Sequence, residues 1–184
     1  MATAHTPTHI LRILTLATAG SALFMSAPAL AALKVGDMAP AFSVPAATNG
    51  DVATFSLKTA LKKGPVVVYF YPKAFTTGCS LEAHQFSEAM PEFQAEHMSV
   101  IGLSTDDIDT LKRFSKETCQ GKFPVGADTK AAVTGAYDAK MGPMNMSNRI
   151  SYIVGTDGRI AFVHEDGNAA THVSTLLAAA KTVK

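Results

Sequence analysis

The chain has 184 residues, 47% of them hydrophobic and 17% charged, with sixteen basic and fifteen acidic side chains and a formal net charge of +1. That is the size and composition of one ordinary globular domain. A balanced charge with no like-signed run argues against a nucleic-acid or anionic-membrane partner, and an apolar content near half excludes a disordered chain.

The opening of the chain differs from the rest. Residues 1–31 hold no Asp, Glu or Lys, a single Arg12, an apolar stretch from Ile13 to Met25, and the small-residue site Ala29-Leu30-Ala31. This reads as a cleavable secretory signal peptide, with the cut before Ala32 and one domain over 32–184. The stretch is interrupted by Thr15, Thr18, Gly20 and Ser21, short of the roughly 20 apolar residues that span a bilayer. The expected destination is the bacterial periplasm, with no membrane attachment after cleavage. In an oxidising compartment the two cysteines, Cys79 and Cys119, form either a structural disulfide or a working redox couple, and composition does not choose between them.

From Ala32 onward strand-like and helix-like periods alternate, the pattern of an α/β layer fold with a helix-covered sheet. Residues 40–45 read as a loop or short edge element, 52–57 as a hairpin return around Asn49-Gly50-Asp51, and 56–63 as a short helix. Val66 to Tyr71 is an unbroken β-branched and aromatic run, predicting a central strand buried on both faces. After a loop over 73–78, the apolar positions Ala83, Phe86, Met90 and Phe93 predict a helix starting near Cys79 or Ser80 and kinked at Pro91. Met98 to Ser104 reads as a second buried strand. Thr105, Asp106 and Asp107 offer cap-type side chains for a helix carrying Ile108, Leu111 and Phe114 and closing at Cys119 on its buried side.

A strand over 123–127, a helix over 130–137, a methionine-rich loop over 141–147, two strands over 150–154 and 159–164 joined by Thr156-Asp157-Gly158, and a closing helix over 169–183 complete the map. No interior boundary suggests a second domain.

Cys79 follows a buried strand and opens a helix, where unpaired N–H groups and the positive end of the helix dipole favour a thiolate; the plainer reading is a cysteine that only packs. Its loop reads Pro72-Lys73-Ala74-Phe75-Thr76-Thr77-Gly78-Cys79, a P-x-x-x-T-x-x-C string. Here the sequence resembles the peroxiredoxins. Gly36-Asp37-Met38-Ala39-Pro40-Ala41-Phe42 resembles the family's opening, Phe123 to Asp128 its F-P-x-x-x-D strand, and Asn148-Arg149-Ile150-Ser151-Tyr152-Ile153-Val154 the segment of its essential arginine. The loop most resembles the peroxiredoxin Q, or bacterioferritin-comigratory, group.

The resemblance implies a thioredoxin-like α/β fold with a central mixed sheet flanked by helices on both faces. It implies a thiol peroxidase in which Cys79 attacks hydrogen peroxide or an organic hydroperoxide, Thr76 hydrogen-bonds the peroxide, Pro72 shields the thiolate, Arg149 stabilises charge and Glu82 helps hold Arg149. Antioxidant defence, a thioredoxin-like or other dithiol reductant, and a monomer or homodimer without cofactor, metal or nucleic acid go with it. Ala74 and Thr77 replace the group's usual Asp and Pro, a departure that bears on loop rigidity and subgroup. Many members carry a resolving cysteine five residues after the first, where this chain has His84. Others carry it in the following helix, the general region of Cys119, which implies an intramolecular disulfide after local unwinding.

Three other readings fit parts of the sequence. One is a one-cysteine peroxiredoxin with Cys119 a bystander, and another a non-enzymatic exported module stapled by Cys79 and Cys119. Met141, Met144 and Met146 are soft thioether groups suited to Cu(I), though apolar lining of a loop ahead of Arg149 is the simpler role. The dispersed His84, His97, His164 and His172 read as solvated or core-satisfied residues.

Overall fold

The protein is described from a computed structural model covering residues 1–3 and 32–183, so the expected leader lies outside the described residues apart from its first three. Its centre is β3 (Val66–Phe70), every residue of which is buried. Odd and even positions serve different cores: Val67 and Tyr69 join Cys79, Phe86 and Phe114 on one face, while Val66, Val68 and Phe70 join Tyr137, Tyr152 and Ile160 on the other. A strand without polar alternation is what burial on both faces requires.

Around it forms one seven-stranded mixed sheet. The hairpin of β1 (Ser43–Thr48) and β2 (Asp51–Ser56) turns at Asn49 and Gly50, whose φ angles of 50° and 84° are those of a two-residue primed turn. Next come β4 (Ser99–Ser104), β5 (Val125–Ala127), β6 (Ile150–Val154) and β7 (Ile160–Glu165). The spatial order is β2-β1-β5-β4-β3-β6-β7, with β3, β4 and β5 parallel and the outer pairs antiparallel. Residues expected to form a loop or edge element thus begin an interior strand instead. Pro45 is tolerated there because β5 pairs only with Ala46 and Ala47, leaving the proline past its end.

Helices α2 (Thr77–Ala95), α3 (Ile108–Glu117) and α5 (His172–Ala180) contribute to the first core, and α1 (Leu57–Ala60) and α4 (Ala132–Ala136) to the second. The α2 helix starts two residues earlier than the spacing predicts and continues through Pro91. Asp107, not Asp106, caps α3, accepting the Thr110 N–H at 2.8 Å. A 3₁₀ turn over Ala169–Thr171 leads into α5, which is shorter than the expected closing helix. Among the described residues no helix is long and apolar enough to cross a membrane.

Tyr69 is fully buried and stacks on Phe86 with ring centroids 4.2 Å apart. Its hydroxyl occupies space that Gly102 leaves, since a Cβ at residue 102 would lie 2.6 Å from it. Gly102→Ala should therefore overpack this core and cost about 1–3 kcal/mol of stability. Urea unfolding checks this, with an unchanged midpoint as the contrary result.

Candidate functional site

The site forms where β3 ends. Ile150 pairs with Phe70, so Arg149, one residue earlier, stands beside the exit of β3, from which the chain runs through Pro72 into α2. Sheet pairing thereby brings residues seventy positions apart to one corner.

Local bonds shape the intervening loop. The Ala74 N–H donates to Asp106 Oδ2 at 2.8 Å, and the Ser104 hydroxyl donates to the same oxygen at 2.9 Å. Phe75 adopts a φ of 63°, in the left-handed region that costs a bulky side chain, and sets its ring edge-on against Phe114. The Thr76 hydroxyl donates to Lys73 O at 3.0 Å and makes no cap bond to α2. The first-turn N–H groups of α2 consequently keep no side-chain partner from their N-cap.

Cys79 lies in that first turn and is almost fully buried. Arg149 Nη2 donates to its sulfur at 3.4 Å, Arg149 Nη1 donates to Glu82 Oε2, and Arg149 Nε donates to Gly167 O at 3.3 Å. Glu82 is wholly buried one turn after Cys79, on the same side of α2 as the guanidinium. Gly78 permits this approach, because a Cβ there would sit 3.2 Å from Arg149 Nη2. Such a buried charge pair is strongly destabilised by removal of either partner.

Behind Glu82 stands His172, also fully buried, at the start of α5. Its Nε2 lies 2.9 Å from Asp166 O and must carry the proton to bond a carbonyl, so Nδ1 accepts from the Ser151 hydroxyl at 2.8 Å. Glu82 Oε1 is 3.7 Å from that nitrogen and has no hydrogen-bond partner. Burial pushes the Glu82 carboxyl up to about 7, with the charge and hydrogen bond of Arg149 pulling the other way. Burial pushes His172 down to about 4, opposed by its bond to Asp166 O.

Pro72, Met141, Asn148, Arg149, Glu165 and Gly167 line an open cavity of about 290 Å³ at this corner. Met141 is thus part of the wall beside Arg149, while Met144 stands exposed. Cys119 lies elsewhere, fully buried just past the end of α3, and both cysteines are free thiols. Burial pushes the Cys119 thiol up. Of the residues the sequence singles out, Arg149 bonds both Cys79 and Glu82, Thr76 and Pro72 belong to the adjoining loop and cavity, and Cys119 shares a core cluster with Cys79 without a disulfide between them. His172, Ser151 and Asp106 complete the surroundings without a sequence motif to announce them. Asp106 reads as a helix-cap candidate, and nothing in its spacing points to a loop thirty-two residues earlier.

A buried thiol opening the helix after a central strand, with a guanidinium donating to its sulfur, defines a thiol-redox centre on an α/β fold. Comparison with known proteins gives this class its family. Residues 35–163 match the AhpC/TSA family model. The peroxiredoxin Bcp of Escherichia coli strain K12 is 34% identical over 151 residues, 79% of this chain and 94% of that protein. Peroxidoxin BcpB of Mycobacterium tuberculosis superimposes with a TM-score of 0.76 at 26% identity, over 83% of this chain and 99% of that one. The bacterioferritin comigratory protein of Xanthomonas campestris does so with a TM-score of 0.67 at 26% identity, over 76% of this chain and 90% of that one. The chain belongs to the AhpC/TSA family, has its thioredoxin-like peroxiredoxin fold, and is a thiol peroxidase of the Bcp/PrxQ type.

The buried imidazole predicts a pH dependence of stability. Its folded value lies below the ordinary 6.5, so the unfolded chain takes up the proton first as pH falls. The stabilisation is complete above about pH 6.5 and is lost toward about pH 4; Glu82, raised instead, has the opposite sign, losing stability as pH rises from 4.5 toward 7. Urea unfolding of the native chain and His172→Gln isolates the histidine. The native chain should lose roughly 2 kcal/mol more than the variant between about pH 7 and about pH 5. Parallel curves would contradict a neutral buried His172.

Proposed function

We propose that this peroxidase works through a Cys79 thiolate set by Arg149 and Glu82, and that Cys119 resolves the oxidised product. The observation that carries the reading is the hydrogen bond from Arg149 Nη2 to the Cys79 sulfur, on a guanidinium fixed from its other side by Glu82. The Cys79 thiolate attacks one oxygen of ROOH. The S–O bond forms as the O–O bond breaks, leaving Cys79 as a sulfenic acid and releasing RO⁻, which takes a proton to become ROH.

Negative charge grows on the leaving oxygen, and the donors at hand are Arg149 and the first-turn N–H groups of α2, fixed before the reaction begins. Thr76 spends its hydroxyl proton on Lys73 O and so meets the peroxide O–H as an acceptor. Pro72 walls the cavity without an N–H of its own.

Resolution follows as the Cys119 thiol condenses with the Cys79 sulfenic acid, forming the S–S bond and releasing water. An external dithiol, thioredoxin-like in chemistry, then reduces the disulfide by exchange. The cavity beside Arg149 has room for an organic group, and alkyl peroxide reduction is an activity of the X. campestris relative, so organic hydroperoxides join hydrogen peroxide as substrates. Export is part of the reading, supported by Arg12, the apolar stretch to Met25 and the Ala29-Leu30-Ala31 site. The one-cysteine alternative draws on the complete burial of Cys119.

The test is the intact mass of the reduced chain, residues 32–184, after one equivalent of hydrogen peroxide. Loss of two hydrogens within seconds is expected, and Cys119→Ser should instead gain one oxygen. One added oxygen in the native chain would establish the one-cysteine enzyme, and no change would contradict the assignment of Cys79. Arg149→Ala should slow the oxidation step roughly 100- to 1,000-fold, the cost typical of losing one preorganised donor. A stopped-flow rate within threefold of native would remove Arg149 from the mechanism.

A further inference from the structure

We infer that Ser87 and His84, on α2 beyond Cys79, latch the turn carrying Cys119 and so set how fast Cys119 reaches oxidised Cys79. This rests on the resolving role proposed for Cys119. Ser87 is buried, and its hydroxyl lies 2.8 Å from Cys119 O and 3.0 Å from Ala83 O, so the better-placed acceptor belongs to the cysteine turn. His84 Nδ1 accepts from Gln120 Nε2 at 3.1 Å on the surface above it. Two adjacent turns of one helix thus hold two adjacent residues of the segment that must move.

The distances along the helix show why movement is required. His84 and Ser87 lie five and eight residues beyond Cys79, about 7.5 and 12 Å along the axis of α2. A disulfide needs its Cα atoms about 5.5–6 Å apart. With its carbonyl bonded to the Ser87 hydroxyl, which itself reaches back to Ala83 O, the Cys119 backbone is held more than one turn past its target. Burial also pushes the Cys119 thiol up, so in the closed turn it is protonated and a poor nucleophile.

The turn itself is built to release. Gln120 and Gly121 take φ angles of 52° and 67°, two successive left-handed residues, of which the first is not glycine. Inside the segment the turn is closed by bonds from Cys119 N to Phe114 O, Gly121 N to Ser115 O and Lys122 N to Cys119 O. The body of α3 is anchored separately, since Gly50 N donates to Ser115 Oγ at 2.9 Å from the tip of the first hairpin. Opening the turn therefore requires breaking the tethers to α2 while α3 stays docked.

The experiment reads opening apart from peroxide chemistry. In a Cys79→Ser background, the rate at which N-ethylmaleimide labels Cys119 reports the open turn. Ser87→Ala should raise it roughly fivefold, the loss of one net hydrogen bond, and His84→Ala about twofold because its bond is exposed. Ser87→Thr, which keeps the hydroxyl, should stay near the native rate, and His84→Ala combined with Gln120→Ala should add nothing to either alone. With Cys79 restored, Ser87→Ala should accelerate disulfide formation by the same factor while the first oxidation step is unchanged.

Unaltered labelling in both alanine variants would overturn the latch. Faster labelling without any disulfide after peroxide would instead overturn the resolving role of Cys119, and with it the kinetic half of the inference.

Discussion

Everything at the functional corner depends on one buried cation. The Arg149 guanidinium, its side chain 9% exposed, has been taken out of water and must be paired where it lies. Glu82 supplies the counter-charge and accepts from Nη1, Gly167 O takes the Nε proton, and Nη2 donates to the Cys79 sulfur. Two of the cation's three contacts are structural, and they aim the third. The same constraint dictates the glycine at 78 and the complete burial of Glu82 one helical turn past the cysteine.

The sheet makes this pairing possible. Because β6 runs antiparallel to β3, the residue that begins one strand lies beside the end of the other, and helix α2 starts at that same edge. The loop between is held by Asp106 from the end of β4 and by Ser147, whose hydroxyl donates to Tyr71 O at 2.7 Å. Strand ends and helix starts thus converge, so that hydrogen-bonded backbone, rather than loop composition, fixes the geometry. Cys119 answers to a different requirement. It lies just past the end of α3 inside the aromatic core of the same face, where burial pushes its thiol up.

Much of this was legible in the sequence because the signals are local. The uniform burial of β3 follows from the run Val66 to Tyr71, the first hairpin from Asn49-Gly50, and the Cys79 loop from its proline, threonine and glycine spacing. What escaped are side chains acting across long sequence separations. Asp106 has the look of a helix cap, yet its neighbour Asp107 takes that role and frees it for the Cys79 loop. His172, one of several scattered histidines, becomes a neighbour of Glu82 only once α5 docks against α2 and β6. Residues 40–45 read as a loop or edge element because ladder length is set by where β5 stops, which that stretch cannot reveal. The expected departure in loop rigidity at Ala74 is met by a backbone bond, invisible to a comparison of side chains.

The central claim is that the sulfur facing Arg149 is the one that peroxide oxidises. The most direct test is to treat the Cys119→Ser chain with one equivalent of peroxide in the presence of dimedone, which traps sulfenic acids, and to map the adduct by peptide mass. The account predicts the label on Cys79, formed rapidly and suppressed when Arg149 is replaced by alanine. An unlabelled Cys79 after peroxide is consumed, or labelling indifferent to Arg149, would contradict it.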